Sequence, residues 1–87
     1  MGFKKLRGVE LSEEQQGLIR YTCLTHRNQP VRVQQKVRRL CDKCGGDYSA
    51  ALQEAMCSKQ SILAIAQKHH VSESTLYRLR RKFYESW

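Results

Sequence analysis

The sequence predicts a small, mainly α-helical domain, and three observations indicate this fold class. The chain has 87 residues, which is enough for one small domain. Apolar residues recur at intervals of three and four along several segments, which is the periodicity of one helix face. Serine, proline and glycine residues stand where these periodic segments begin or end, as is typical of helix termini.

The first helix is expected to follow a basic N-terminal arm. Residues 1–10 combine lysine, arginine and glycine, and they predict a loose arm. Ser12 and Gln15 have the spacing of a capping box, in which each side chain bonds the backbone amide of the other residue. A helix is therefore predicted from Ser12 to about His26, although Gly17 weakens it.

A second amphipathic helix is expected after Pro30, whose fixed backbone suits a first helical turn. Three apolar side chains share one face at i, i+4 and i+7: Val33, Val37 and Leu40. A neighbouring face carries a basic stripe that comprises Arg32, Lys36 and Arg39. A strand over 31–37 is the alternative because its valines all have odd numbers, but Gln35 interrupts that alternation, which favours a helix.

A third helix is expected to support the C-terminal part of the chain. Gly45 and Gly46 end the preceding helix, and the new one is predicted from about Tyr48 to Met56. Its inward face is predicted to comprise Tyr48, Leu52, Ala55 and Met56. We therefore divide the chain into a basic N-terminal region, 1–46, and a C-terminal unit, 47–87.

Residues 61–83 have the pattern of two helices joined by a short turn. On the first helix, one face comprises Ile62, Ile65, Ala66 and His69. In the turn, His70 tolerates a left-handed backbone better than most residues, and Ser72 suits the N-cap of the next helix. That helix is expected to direct inward Leu76, Leu79 and Phe83. Its outward residues are predicted to be Glu73, Ser74, Tyr77, Arg78 and Arg81.

The apolar positions of this segment match a known pattern. They are Ile65, Ala66, Val71, Leu76 and Leu79. The segment resembles the helix-turn-helix of bacterial and phage repressors, resolvases and transposon regulators, over about a quarter of the chain. The resemblance implies that the second helix, at about 73–84, reads the major groove of double-stranded DNA.

The composition agrees with a nucleic-acid partner. The net charge is +8 and the sequence pI is about 9.7, which suits a polyanion. No apolar run approaches the roughly 18 to 20 residues of a membrane span, and the N-terminus lacks the apolar core of a signal peptide. We therefore expect a cytoplasmic protein of a bacterial or phage-infected cell, with no membrane partner and without stable disulfides.

Residue types on the second helix predict their roles. Arg78 and Arg81 suit bidentate contacts to guanine, and Glu73 suits a contact to cytosine. Ser74 and Tyr77 are expected to reach bases or phosphates, and Ser72 lies at the same helix start. Phosphate contacts are expected from Lys59, Arg80 and Lys82. A solvated charged surface is the alternative for each of these residues.

Two pairs of metal-binding residue types lie in the N-terminal half. The four predicted ligands are Cys23, His26, Cys41 and Cys44. Pairs spaced by two residues can chelate one ion, and four filled positions predict a structural zinc rather than a catalytic one. The alternative is a metal-free core in which Ile19, Cys23 and His26 share a helix face, as Cys57 is expected to lie in a core.

A second class of function remains open. The chain has no paired carboxylates, phosphate-binding glycine loop or nucleophile beside a base, so we expect neither an enzyme nor a small-molecule substrate. The segment 18–21 and the aromatic-rich C-terminus are similar, in short patches, to phage late-gene antitermination proteins. That resemblance implies RNA polymerase as a partner, with DNA contact secondary. The aromatic residues Phe83, Tyr84 and Trp87 are predicted to form an apolar patch for a partner, including a homodimer. For Phe83 and Trp87 the alternative is that they cover the core.

Overall fold

A computed structural model describes residues 11–87, and the N-terminal arm predicted at 1–10 lies outside them. The described residues form a mainly helical small domain without strands, so the helix predicted after Pro30 is confirmed over the alternative strand at 31–37. The five α-helices are α1 (Glu13–Leu24), α2 (Val31–Gly45), α3 (Ser49–Cys57), α4 (Ile62–His69) and α5 (Glu73–Ser86). Short 3-10 segments at His26–Asn28 and Gly46–Tyr48 flank α2.

The predicted capping box begins the first helix. The Ser12 hydroxyl accepts a 3.1 Å hydrogen bond from the Gln15 amide, and the Ser12 amide donates a 2.9 Å bond to Gln15 Oε1. Both bonds satisfy amides that have no partner within the helix. α1 ends at Leu24, two residues before the expected end at His26, and a 3-10 turn begins there.

Glycine ends the second helix, as the sequence predicts. Gly46 has φ of 54°, a left-handed backbone that a residue with a Cβ adopts only at a cost. Gly45 lies against the next helix, because a Cβ added there would lie 3.4 Å from Leu52 Cδ2. The chain therefore reverses direction tightly, and α2 packs closely against α3.

The central helix is α3, which contacts each of the other four helices. Its buried face confirms the predicted inward positions with one exception: Tyr48 remains 44% exposed. Tyr48 belongs to the 3-10 segment before α3, so its direction departs from the helical face that the sequence predicts. The buried members of that face are Leu52, Ala55 and Met56.

Two clusters of buried side chains meet along α3 and α5. The larger one joins α1, α2, α3 and α5, and it comprises Ile19, Cys23, Val37, Leu40, Cys41, Leu52, Met56, Leu79, Phe83 and Tyr84. The smaller one joins α3, α4 and α5, and it comprises Ala51, Ala55, Ile65, Ala66 and Leu76. Residues on both sides of Gly46 therefore share one core. None of the described helices is both long and apolar enough to cross a bilayer.

Candidate nucleic-acid interface

A three-residue connection sets the angle between α4 and α5. His70 has φ of 56° and ψ of 44°, which confirms the left-handed turn residue that the sequence predicts. The Val71 amide donates a 3.0 Å hydrogen bond to the carbonyl oxygen of Ala66. Val71 packs with Ile65 and Leu76 in the smaller cluster, so the turn is fixed by packing as well as by its backbone.

Ser72 caps α5, as predicted from the sequence. Its hydroxyl accepts a 3.1 Å bond from the Thr75 amide and donates a 2.7 Å bond to Thr75 Oγ1. Ser74 Oγ lies 3.3 Å from the same hydroxyl. The hydroxyl of Ser72 therefore has partners within its own helix, and its main role in the structure is to fix where α5 begins.

The exposed face of α5 contains most of the predicted contact residues. Arg78 and Arg81, three positions apart, lie on this face and are exposed. Among residues 11–87, the ion pairs involve only Glu54, so neither guanidinium has an ion-pair partner in this part of the chain. The other exposed members are Glu73, Ser74, Tyr77 and Lys82.

Arg80 is less exposed than these residues of α5. It is half-buried, and its Nε atom is buried without a hydrogen-bond partner. Its positive charge acts on Arg20 of α1. Burial is the main cause that lowers the pKa of the Arg20 guanidinium, and the charge of Arg80 is the second cause. Arg80 is therefore close enough to Arg20 for the two positive charges to repel, whereas Arg78, Arg81 and Lys82 are exposed.

Arg20 is a structural residue that the sequence analysis did not identify. Its Nη1 donates to the carbonyl oxygens of Ala55 and Met56, and its Nη2 donates to that of Ser58 at 3.0 Å. These carbonyls belong to the end of α3, where helical partners are missing and a cation is favoured. The spacing of α1 gives no signal of this contact, because it depends on a helix more than 30 residues away.

Other basic residues lie outside α5. Lys59 is exposed in the connection between α3 and α4. On α2, Arg32 and Arg39 are exposed, but Lys36 is half-buried with Nζ 4.0 Å from the centre of the Trp87 ring. This cation–π contact places one member of the basic stripe beside the C-terminal end of α5.

The aromatic residues at the C-terminus pack into the core. Phe83 and Tyr84 are buried, and the rings of Phe83 and Trp87 lie 5.9 Å apart at a tilt of 37°. Trp87 is half-buried against the larger cluster. The alternative that Phe83 and Trp87 cover the core therefore agrees with the structure. Tyr84, which the sequence placed only in the partner patch, is buried in the core as well, so little of Phe83 or Tyr84 is left for a partner to contact.

The four predicted zinc ligands have different surroundings. Cys23 and Cys41 are buried in the larger cluster, His26 is half-buried in the 3-10 turn, and Cys44 Sγ lies 3.7 Å from Ser86 Oγ. Within residues 11–87, no three side chains of cysteine, histidine, aspartate or glutamate are grouped to hold a metal ion. Burial raises the pKa of the Cys41 thiol to about 12 in the absence of a metal ion. Zinc at these positions stays a prediction, which the zinc content of the purified protein tests.

The strongest candidate for an interface is thus the exposed face of α5 with the turn that precedes it. Comparisons of the chain with protein-family models, with curated proteins and with solved structures find no match. The assignment of a partner to this face consequently depends on its own geometry and charge.

Proposed function

We propose that the protein is a sequence-specific DNA-binding transcriptional regulator. In this proposal α4, the turn at His70 and α5 act as a helix-turn-helix, and α5 enters the major groove. One observation carries the proposal: Arg78 and Arg81 are exposed on one face of a helix that two core clusters hold in place, and neither forms an ion pair within residues 11–87.

Rigid support matters for this function, because bidentate contacts to a base edge tolerate little displacement. The inward face of α5 is anchored by Leu76 in the smaller cluster and by Leu79 and Phe83 in the larger one. The Ser72 cap holds the first turn of the helix. Arg78 and Arg81 are proposed to read guanine, with nearby Tyr77 and Ser74 contacting the same strand.

Phosphate contacts are assigned to the exposed lysines at either end of this surface. Lys59 precedes α4, and Lys82 lies one position beyond Arg81 on α5. Each contact to duplex DNA adds about 0.9 to the slope of log affinity against log salt. Arg80 is left out of this set, because its Nε is buried and the residue lies near Arg20.

A polymerase-binding factor of the antitermination type is the second candidate function, and one observation favours it. Leu18 and Tyr21, three positions apart on α1, are 67% and 63% exposed. Exposed apolar residues at that spacing share a helix face and suit a protein partner better than a phosphate backbone. They lie in the segment whose sequence is similar to that of the antitermination proteins.

Selection from random duplex DNA by the purified protein, at moderate salt, distinguishes the two candidates. The DNA-reading proposal predicts one enriched motif, and a palindromic motif would indicate a dimer on two half-sites. The selection is repeated with a zinc chelator, because loss of the motif on chelation would support the predicted metal site. Bulk, salt-sensitive binding without a motif would contradict the proposal and favour the polymerase.

A matched pair of variants separates base reading from general charge. Arg78→Gln with Arg81→Gln, and Arg32→Gln with Arg39→Gln, each remove two exposed arginines and the same charge. We expect the α5 variant to lose the motif and the α2 variant to keep it, with at most a weaker overall affinity. Equal effects of the two variants would show that charge alone, and not α5, determines binding.

A further inference from the structure

Two of the four cysteines meet where α1 and α3 end. Cys23 is fully buried in the last turn of α1, and Cys57 is the last residue of α3 and packs against the same cluster. Arg20, three residues before Cys23, bonds the carbonyl oxygens of Met56 and Ser58 on either side of Cys57. Since residues three apart share a helix face, these bonds hold Cys23 beside Cys57.

The two thiols differ in their access to solvent. Cys57 is half-buried and lines a surface cavity of about 640 Å³, whose wall also includes Leu24, His26 and Glu54. Cys23 is 0% exposed and does not line this cavity. A small reagent that enters the cavity therefore meets Cys57 first, with Cys23 behind it.

This difference in access assigns the roles of the two thiols. Cys57 borders the cavity and is therefore the nucleophile that a peroxide meets. Cys23, buried in the cluster against which Cys57 packs, is the thiol that follows it, and such a second thiol is typical of oxidant-sensitive cysteines.

We propose that Cys57 and Cys23 form a thiol pair that a peroxide converts into an intramolecular disulfide. The Cys57 thiolate attacks one peroxide oxygen, so that an S–O bond forms, the O–O bond breaks and hydroxide leaves. The sulfur of Cys23 then attacks Cys57 sulfur, and the sulfenic oxygen leaves as water with the Cys23 proton. In total, two thiols and hydrogen peroxide give one disulfide and two waters, and a thiol reductant reverses the change.

This modification site is independent of DNA binding. The other two cysteines are less suited to this oxidation, each for a different reason. Cys41 is fully buried, and Cys44 lies near Ser86 at the far end of α2. They serve as internal controls within the same chain.

The test treats the full chain with hydrogen peroxide after reduction and removal of metals by a chelator. We expect the intact mass to fall by two hydrogen atoms, without dimer formation. Trypsin cleaves after Arg20, Arg27, Lys43 and Lys59, so Cys23 is found in peptide 21–27 and Cys57 in peptide 44–59. A cross-link between these peptides is the predicted product.

Peptide 44–59 also contains Cys44, so a Cys44→Ser variant is needed to assign the cross-link. The link should persist in Cys44→Ser and disappear in Cys57→Ser. In Cys23→Ala, which keeps a small apolar side chain in the core, the reaction should stop at a Cys57 sulfenic acid that a dimedone probe captures. Circular dichroism checks that each variant is folded.

Several outcomes would overturn the proposal. They are a mass unchanged after peroxide, a cross-link that requires Cys41 or Cys44, or disulfides between chains only.

Iodoacetamide provides a second measurement that needs no variant. Cys57 should be alkylated at least about tenfold faster than Cys23 or Cys41 in the folded chain, because the buried thiols are shielded; equal rates would contradict the assignment of Cys57 as the accessible thiol.

Discussion

Arg20 Nη2 donates a 3.0 Å hydrogen bond to the carbonyl oxygen of Ser58, which directly follows α3. Its Nη1 bonds carbonyls of the last turn of α3 as well, at Ala55 and Met56. One side chain of α1 therefore caps the central helix of the fold. Burial and the nearby charge of Arg80 lower the pKa of Arg20, so these bonds form at an electrostatic cost.

Arg20→Met should lower the free energy of unfolding. The variant removes the hydrogen bonds of a charged donor and leaves buried carbonyls without partners. Relief of the repulsion with Arg80 offsets part of this loss, so the net loss of stability should be about 2 kcal/mol. The midpoint of urea denaturation measures this loss in the free energy of unfolding. Arg27→Met is the control, because Arg27 is exposed in the 3-10 turn. Equal stability of Arg20→Met and the parent chain would contradict the capping role.

His70 provides a test of the turn between α4 and α5. Its φ of 56° lies in the region where a residue with a Cβ is strained by roughly 1 to 2 kcal/mol. His70→Gly should therefore keep or raise stability, and His70→Val should lower it by about 1 kcal/mol or more, because β-branched residues resist this backbone. Thermal unfolding of both variants measures the difference. A valine variant as stable as the glycine variant would show that the turn has another conformation.

Substitutions at Ser72 test the helix cap and the proposed DNA contact separately. Ser72→Ala should lose about 1 kcal/mol of stability, because the Thr75 amide loses its acceptor. Ser72→Asp should retain stability, because a carboxylate also caps a helix, but it should weaken DNA binding by placing a negative charge at the start of α5. Denaturation and a binding titration at fixed salt measure the two effects. If Ser72→Asp lost as much stability as Ser72→Ala, the capping role of Ser72 would be contradicted.

Local features of the fold could be predicted from the sequence, because neighbouring residues determine them. The capping box at Ser12, the Ser72 cap and the left-handed His70 each depend on contacts within a few residues. The inward positions of α5 follow from helical spacing, and all of them are buried: Leu76, Leu79 and Phe83.

Contacts between distant helices could not be predicted in this way. Three features depend on how helices pack in space. They are the bonds from Arg20 to the end of α3, the position of Arg80 near Arg20, and the contact between Cys23 and Cys57. A helical pattern specifies which face is apolar but not which neighbour covers it. For that reason the sequence analysis did not identify the contact between Cys23 and Cys57.

Glu54 should make stability depend on pH. Its Oε1 lies 2.9 Å from Lys68 Nζ and 3.0 Å from His69 Nε2, and the hydrogen bond from Lys68 followed by that from His69 lowers the pKa of Glu54. Because the pKa of Glu54 is lower in the folded state, its ionised carboxylate stabilises the fold at pH values above the unfolded pKa of about 4.3. This contribution disappears as pH falls through the pKa of the folded state.

Comparison of the parent chain with Glu54→Gln measures this contribution. We expect the parent to be more stable at neutral pH by less than about 1 kcal/mol, because Lys68 is largely exposed. The difference should shrink as pH falls below the unfolded pKa of about 4.3 and vanish once Glu54 is protonated in the folded state. A difference that grows on acidification would contradict the sign of the Glu54 shift.

Base reading by Arg78 and Arg81 of α5 is tested by selection from random duplex DNA with the Arg78→Ala variant, and Lys82→Ala is the control. We expect Arg78→Ala to lose preference at one base pair of the motif, with a cost of about 1 to 3 kcal/mol there. Lys82→Ala should keep the motif, weaken binding to all sequences alike and reduce the salt slope by about 0.9. An unchanged motif and affinity for Arg78→Ala would contradict base reading by α5.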